Sequence, residues 1–164
     1  MSETMKGLKR SHYVTDVEEK HIDQEVTIMG WVQKRRDLGG VIFLDVRDRT
    51  GLLQVVIDQS SIGEENFVKA EKIRTEYVVA VKGLVESRSD ETINRNLKTG
   101  TIEVRAYELR LLSEAETTPF QIEENSDVRE DLRLKYRYLD LRRPDLQRNL
   151  MLRSKVAASA REFL

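Results

Sequence analysis

Aromatic, amide and basic side chains occupy positions of the sequence where the outward face of a β-strand is expected. Phe43 and Gln54 each lie between two apolar residues, so strand geometry points both of them away from the core. Trp31 and Gln33 belong to an earlier alternating segment and are expected to point outward as well. A basic run follows them directly, and it consists of Lys34, Arg35 and Arg36. A ring for base stacking, amides for base edges and cations for phosphate are what single-stranded nucleic acid requires.

The same residues permit two other interpretations. Trp31 could equally cover the open end of a barrel, and the basic run could be a solvated strand end. Phe43 is harder to explain without a ligand, because an outward Phe on a central strand lowers solubility. The residues alone leave open a general binder of single-stranded nucleic acid and a surface for a protein partner.

Residue patterns typical of enzymes are missing from the sequence. It contains neither a glycine-rich phosphate loop nor a G-x-S-x-G motif, and its carboxylates show no spacing typical of a catalytic pair. His12 and His21 are interpreted as ordinary surface residues. The chain has no cysteine, which excludes disulfides, thiolate catalysis and thiolate zinc sites. We expect no catalytic, cofactor-binding or metal-binding residue in this chain.

Composition places limits on the partners. The 28 Lys and Arg residues against 29 Asp and Glu give a net charge of −1. Nucleic-acid-binding domains are usually basic, so a polyanion would have to bind through a local patch. The sequence has no apolar run of about 18 residues and no apolar N-terminal stretch, so we expect a cytoplasmic protein with no membrane partner.

The elements that must hold these residues are mainly strands. Apolar alternation predicts five strands, near residues 26–33, 42–46, 53–57, 77–87 and 101–111. Short links containing glycine join the first three into an antiparallel meander. A helix that begins at Ser60 or Ser61 is predicted between the third and fourth strands.

The fifth strand carries a shift in its apolar register, which predicts a bulge. The residues expected to point inward are Ile102, Val104 and Ala106 before the shift and Tyr107, Leu109 and Leu111 after it. Three strands, a helix and two further strands are the order of an OB-fold. The fold class predicted is therefore mainly β, a five-stranded Greek-key barrel followed by a hinge and C-terminal helices.

Residues 1–112 are assigned to this barrel, and residues 113–131 to an acidic connector with seven acids and one base. The charge then reverses, and residues 132–164 are expected to be helical. Pro144 suits a helix start, and an apolar stripe follows at helical spacing, formed by Leu152, Val156, Ala160, Phe163 and Leu164. This stripe has nothing to pack against, which favours a piece of a larger protein.

Two strings of the sequence resemble a known family. Residues 30–49 read GWVQKRRDLGGVIFLDVRDR, and residues 132–144 read LRLKYRYLDLRRP. Together with residues 93–95 and 99–100, they closely resemble the N-terminal anticodon-binding region of bacterial aspartyl-tRNA synthetases. Lysyl and asparaginyl relatives share the barrel but differ in the second string. The resemblance covers almost the whole chain.

The resemblance implies a class II synthetase that joins aspartate to tRNA(Asp) through an aspartyl-adenylate, using ATP and Mg²⁺. It implies that residues 132–164 begin a truncated catalytic domain, so that this chain alone would be inactive. In the family the helix over 144–164 pairs across a homodimer, and we expect this chain to self-associate weakly. Whether tRNA(Asn) is also charged is left open.

The resemblance also assigns roles to individual residues. Phe43 matches the ring that stacks under the middle anticodon base, and Gln54 matches the amide that reads that base. Arg36 matches an arginine at the anticodon loop, Glu103 a carboxylate that accepts from the first base, and Arg88 an arginine near the last base. Additional tRNA contacts are expected from Trp31, Gln33, Lys34, Arg35 and Thr92. The sequence departs from some relatives at Glu86, where they have a basic residue, and at Thr92, where they have asparagine.

Overall fold

Five strands close into a barrel in a computed structural model that describes residues 2–163. The strands are β1 (Glu25–Asp37), β2 (Val41–Arg47), β3 (Leu52–Asp58), β4 (Val78–Ser87) and β5 (Ile102–Ser113). The helices are α1 (Gln59–Ile62), α2 (Glu64–Glu71), α3 (Glu130–Lys135), α4 (Arg137–Asp140) and α5 (Pro144–Phe163). Short 3₁₀ turns lie at Val14–Asp16, Glu19–His21 and Asp90–Thr92.

The strand order around the barrel is β1, β2, β3, β5 and β4, with β4 pairing back onto β1. The first three strands form the predicted antiparallel meander. Strands β3 and β5 pair in parallel, and β5 pairs antiparallel with β4. Helices α1 and α2 lie between β3 and β4 in the chain. The predicted fold class, a mainly β OB-fold barrel, is confirmed.

The inward residues that alternation predicts fill the barrel. Ile42, Leu44 and Leu53 are fully buried, and Phe67 of α2 belongs to the same cluster. The inward face of each strand is therefore fixed by the period of two, which leaves the outward face free to carry a site.

The predicted single helix is two helices in the structure. Gly63 separates α1 from α2 with a φ of 82°, a left-handed conformation that glycine adopts readily. The N-cap of α1 is Asp58 rather than Ser60 or Ser61, because the Asp58 carboxylate accepts a 2.8 Å hydrogen bond from the Ser60 backbone N–H.

The predicted bulge in β5 is confirmed, but one residue was assigned to the wrong face. Lys82 pairs with Glu108 and Gly83 with Ala106, so Tyr107 is the extra residue of β5. Tyr107 is exposed instead of pointing inward, whereas Leu109 and Leu111 are buried as predicted.

Residues from Thr118 onward form a second compact unit, distinct from the unit that ends at Thr117. Its cluster consists of Phe120, Ile122 and Leu139, with Val128, Leu132 and Tyr136 packed against it. Helix α5 forms where it was predicted, and Leu152, Val156, Ala160 and Phe163 of its apolar stripe are exposed. Leu164, the last residue of that stripe, lies outside the described residues, as does Met1. None of the described helices is long and apolar enough to cross a membrane.

Candidate nucleic-acid interface

The outward face of β1, β2, β3 and β5 brings four of the predicted anticodon-binding residues together. Strand register places Arg36 opposite Phe43 and Asp45 opposite Gln54. The parallel pairing of β3 with β5 sets Glu103 next to Gln54 on the same face. Residues separated by up to 67 positions in the sequence therefore meet on one side of the barrel.

Gln54 is the centre of a hydrogen-bonded network that we call the Gln54 network. Its amide oxygen Oε1 accepts from Arg36 Nη2 at 2.8 Å and from Arg88 Nη2 at 3.0 Å. Its amide nitrogen Nε2 donates to Glu103 Oε2 at 2.7 Å. Two guanidinium donors on one side and a carboxylate on the other fix which end of the amide is the oxygen. One hydrogen of Nε2 is then left to donate to a ligand.

Gln54 points outward as predicted, yet it is only 5% exposed. Alternation sets the direction of a side chain, but neighbours from other strands decide whether solvent reaches it. Here those neighbours are Arg36, Arg88 and Glu103, all of which contact the amide.

Phe43 lies beside this network and is half-buried rather than fully exposed. The guanidinium carbon of Arg36 lies over the Phe43 ring, 5.7 Å from its centroid, at the range of a cation–π contact. A base stacked on Phe43 would therefore lie next to a cation and an amide donor.

Arg88 is held almost completely below the surface, with 8% of its side chain exposed. Its Nε lies 3.8 Å from Glu103 Oε2, beyond hydrogen-bond distance, and has no hydrogen-bond partner among the described residues. A buried donor without a hydrogen-bond acceptor is costly, and the charge of the nearby Glu103 offsets part of that cost.

Carboxylates balance the arginines of this face. Asp45 Oδ1 accepts from Arg36 Nη2 at 3.1 Å, and Arg105 Nε donates to both oxygens of Glu86 at 2.8 and 2.9 Å. The hydrogen bond to Glu86 raises the pKa of Arg105, against the lowering effect of its partial burial. Arg36, the last residue of the predicted basic run, is thus paired with a carboxylate, and so is Arg105. Asp45 was missed as a site residue, although its place opposite Gln54 follows from the register of the β2–β3 hairpin.

Trp31 and Gln33 belong to a different cluster on the outward face. Arg47 Nη1 donates to Gln33 Oε1 at 2.6 Å, and Arg47 Nη2 donates to both Glu76 oxygens at 2.9 Å. The Arg47 guanidinium lies over the Trp31 ring, 5.8 Å from its centroid. Both Arg47 and Glu76 are buried, so these two predicted residues lie against a structural ion pair.

The remaining residues predicted to contact tRNA differ in their hydrogen bonds within the protein. Lys34 is exposed. Arg35 Nη1 donates to the backbone carbonyl of Glu71 at the end of α2. The Thr92 hydroxyl donates to the backbone carbonyl of Ser89 at 3.0 Å, which closes the short 3₁₀ turn after β4.

Comparison with known proteins agrees with the OB-fold described above. The family model described as an OB-fold nucleic acid binding domain matches residues 26–112, more than half of the chain. The chain belongs to this family. A second family model, tRNA synthetases class II (D, K and N), matches residues 129–164.

Individual relatives agree with the resemblance found in the sequence. An aspartate–tRNA(Asp/Asn) ligase of Lachnoclostridium phytofermentans is 62% identical over 164 residues, and an aspartate–tRNA ligase of Agathobacter rectalis is 57% identical. Each alignment covers 100% of this chain and 27% of the relative, so the chain spans about a quarter of their length. The predicted likeness to aspartyl-tRNA synthetases is confirmed.

A solved structure shares the arrangement of elements. Asparaginyl-tRNA synthetase from Pyrococcus horikoshii, in complex with asparaginyl-adenylate, superposes with a TM-score of 0.80 and 30% sequence identity. The superposition covers 96% of this chain and 34% of that one.

Proposed function

We propose that this chain binds the anticodon loop of tRNA(Asp) on the outward face of its OB barrel. The observation that carries the proposal is the Gln54 network, which joins four of the five residues that the family resemblance assigns to the anticodon. Phe43, the fifth, lies beside it under Arg36.

The roles in the proposal are those that the family resemblance implies, and the contacts of each side chain indicate which of its groups remain available. Phe43 stacks under the middle base, and the second Nε2 hydrogen of Gln54 donates to an acceptor on that base. Glu103 accepts from the amino and imino groups of the first base, a guanine. Arg88 lies near the last base, and Arg36 holds the loop beside Phe43. Trp31, Gln33, Lys34, Arg35 and Thr92 are proposed as outer contacts.

The relatives support a proposal for the whole protein. We propose that it is a class II aspartate–tRNA ligase of the cytoplasm that forms aspartyl-adenylate and works as a homodimer. Within it, residues 1–112 form the anticodon-binding domain, residues 113–131 a hinge, and residues 132–164 the start of the catalytic domain. ATP and Mg²⁺ are proposed to bind outside these 164 residues, so this chain alone does not aminoacylate and self-associates weakly through residues 144–164.

The test is a titration of the chain with two RNA hairpins of equal length and charge. One carries a GUC loop, and the other carries the same bases in scrambled order. We expect tighter binding of the GUC hairpin. Equal binding of both would favour a general single-stranded nucleic-acid binder, and no binding of either would favour a protein-interaction module.

A separate experiment addresses the tRNA partners. Relatives of both names, Asp and Asp/Asn ligases, match this chain over its full length. Aminoacylation of tRNA(Asp) and tRNA(Asn) by the full-length protein distinguishes the two activities.

A further inference from the structure

A carboxylate with no assigned role touches the residue that holds the anticodon loop. Asp45 lies on β2, opposite Gln54 on β3, and only 24% of its side chain is exposed. We propose that Asp45 is a positioning residue, which orients Arg36 so that the Gln54 network can recognise the anticodon. This inference rests on the proposed function.

One nitrogen of Arg36 serves both partners. Nη2 donates to Asp45 Oδ1 at 3.1 Å and to Gln54 Oε1 at 2.8 Å, which uses both of its hydrogens. The carboxylate therefore determines which edge of the guanidinium faces the amide. The same orientation places the guanidinium over the Phe43 ring.

Arg36 needs such a partner because it lies near the end of β1 with 43% of its side chain exposed. A long side chain held only by a neutral amide keeps most of its rotamer freedom, and ordering it on RNA binding would cost free energy. A charged acceptor that holds Arg36 in advance removes part of that cost.

Asp45 also acts on Gln54 through Arg36. The amide orientation depends on two donors to Oε1, Arg36 and Arg88. When Arg36 turns away from Gln54, one of those two hydrogen bonds is lost, and the orientation of the Gln54 amide toward a base is less firmly fixed. Asp45 thereby contributes to selectivity for the middle base without contacting it.

Charge repulsion alone predicts that neutralising Asp45 strengthens RNA binding, whereas the positioning role predicts weaker binding of the GUC hairpin. The direction of the change in affinity therefore tests the proposal. A carboxylate on a face that binds RNA repels phosphates, so its neutralisation should strengthen binding of every hairpin. If Asp45 positions Arg36, neutralisation weakens binding of the GUC hairpin and leaves the scrambled hairpin unchanged or better bound.

The experiment uses the 164-residue chain and its Asp45→Asn variant with the GUC and scrambled hairpins. We expect affinity for the GUC hairpin to fall about two- to fivefold, as for loss of a partly exposed ion pair. The matched control is Glu25→Gln, which removes an exposed carboxylate of β1 whose contacts are Lys82 and Tyr107 and not the Gln54 network. In this control, affinity for both hairpins should rise equally.

A double-mutant cycle separates positioning from a general structural effect. In an Arg36→Ala background, Asp45→Asn should no longer weaken binding of the GUC hairpin, because the residue through which Asp45 acts is gone. Thermal unfolding midpoints of all variants report whether each is folded, and Asp45→Glu, which keeps the charge, should restore most of the selectivity.

Two results would overturn the proposal. One is stronger binding of the GUC hairpin by Asp45→Asn, and the other is that Asp45→Asn weakens GUC binding as much in the Arg36→Ala background as in the unaltered chain. Failure of the proposed function itself is recognised separately, because the unaltered chain would then bind both hairpins equally or bind neither.

Discussion

Two neighbouring side chains of β2, Phe43 and Leu44, point to opposite faces, so one pair of substitutions distinguishes binding from folding. Phe43→Ala should weaken GUC hairpin binding by about 1–3 kcal/mol through lost stacking. Because Phe43 is only half-buried, the free energy of unfolding of the Phe43→Ala variant should fall by about 1 kcal/mol or less. Leu44 is fully buried, and Leu44→Ala should lower that free energy by about 2–5 kcal/mol. Hairpin titration and urea unfolding measure the two effects, and global unfolding of Phe43→Ala would contradict the assignment of faces.

For individual residues, the sequence predicted the direction in which a side chain points better than how deeply that side chain is buried. The period of two correctly placed Phe43 and Gln54 outward, since that depends only on the strand itself. The burial of Gln54 depends on Glu103, 49 residues away, and on Arg88, which follows a different strand. Contacts across such distances are set by strand register, which single-sequence patterns do not give.

At the scale of elements, the buried Arg47–Glu76 pair connects β2 to the turn before β4. Glu76 adopts a φ of 67° in that turn, and both its oxygens accept from Arg47. Glu76→Ala should lower the free energy of unfolding by about 3–5 kcal/mol, because it leaves the Arg47 charge buried without its carboxylate. The exposed Glu91→Ala is the control and should change stability by about 0.5 kcal/mol or less. Urea unfolding followed by Trp31 fluorescence measures both variants. Equal free energies of unfolding for Glu76→Ala and Glu91→Ala would contradict a stabilising role for the Arg47–Glu76 pair.

In the second unit, Asp140 joins α3, α4 and the start of α5. Burial by itself would raise the pKa of Asp140, but the hydrogen bond from Arg133 and the charges of Arg133, Arg137 and Arg143 outweigh it, and the pKa is lowered. The folded state therefore binds this proton less readily than the unfolded chain. The stabilisation is fully present above the unfolded pKa of about 3.9 and is lost as the pH falls through the folded value.

The corresponding measurement uses the 164-residue chain between pH 7 and pH 2. The NMR signals of the backbone amides of α3 and α4 report the stability of the second unit. Asp140→Asn should be less stable at pH 7, and its stability should depend less on acid pH than that of the unaltered chain. Parallel pH profiles would contradict the role of Asp140.

Elements also show where sequence patterns were incomplete. Gly63 was visible in the sequence, yet its left-handed φ divides the predicted helix into α1 and α2. Phe120 and Ile122 lie in a segment with no periodicity, and they are buried against Leu139 through tertiary packing. Periodicity detects regular elements, so isolated apolar residues of irregular segments are not assigned to a core.

For the whole molecule, paired charges limit how strongly RNA phosphates are attracted. The net charge is −1, and Arg36, Arg88 and Arg105 each lie near a carboxylate. Log affinity for the GUC hairpin should fall against log salt concentration with a slope of about −2 to −4, at about 0.7 per phosphate. Titrations at several salt concentrations measure the slope. A slope near zero would mean that the arginines of this face do not contact the backbone.

The central claim is that the Gln54 face reads the anticodon, and the most direct test changes one base. The measurement compares affinity of the chain for the GUC hairpin with a hairpin in which only the middle base is changed to cytosine. The account predicts weaker binding of the changed hairpin by about 1–3 kcal/mol, the usual value for one base contact. It also predicts that Gln54→Ala removes the difference. Equal binding of the two hairpins by the unaltered chain would contradict the account.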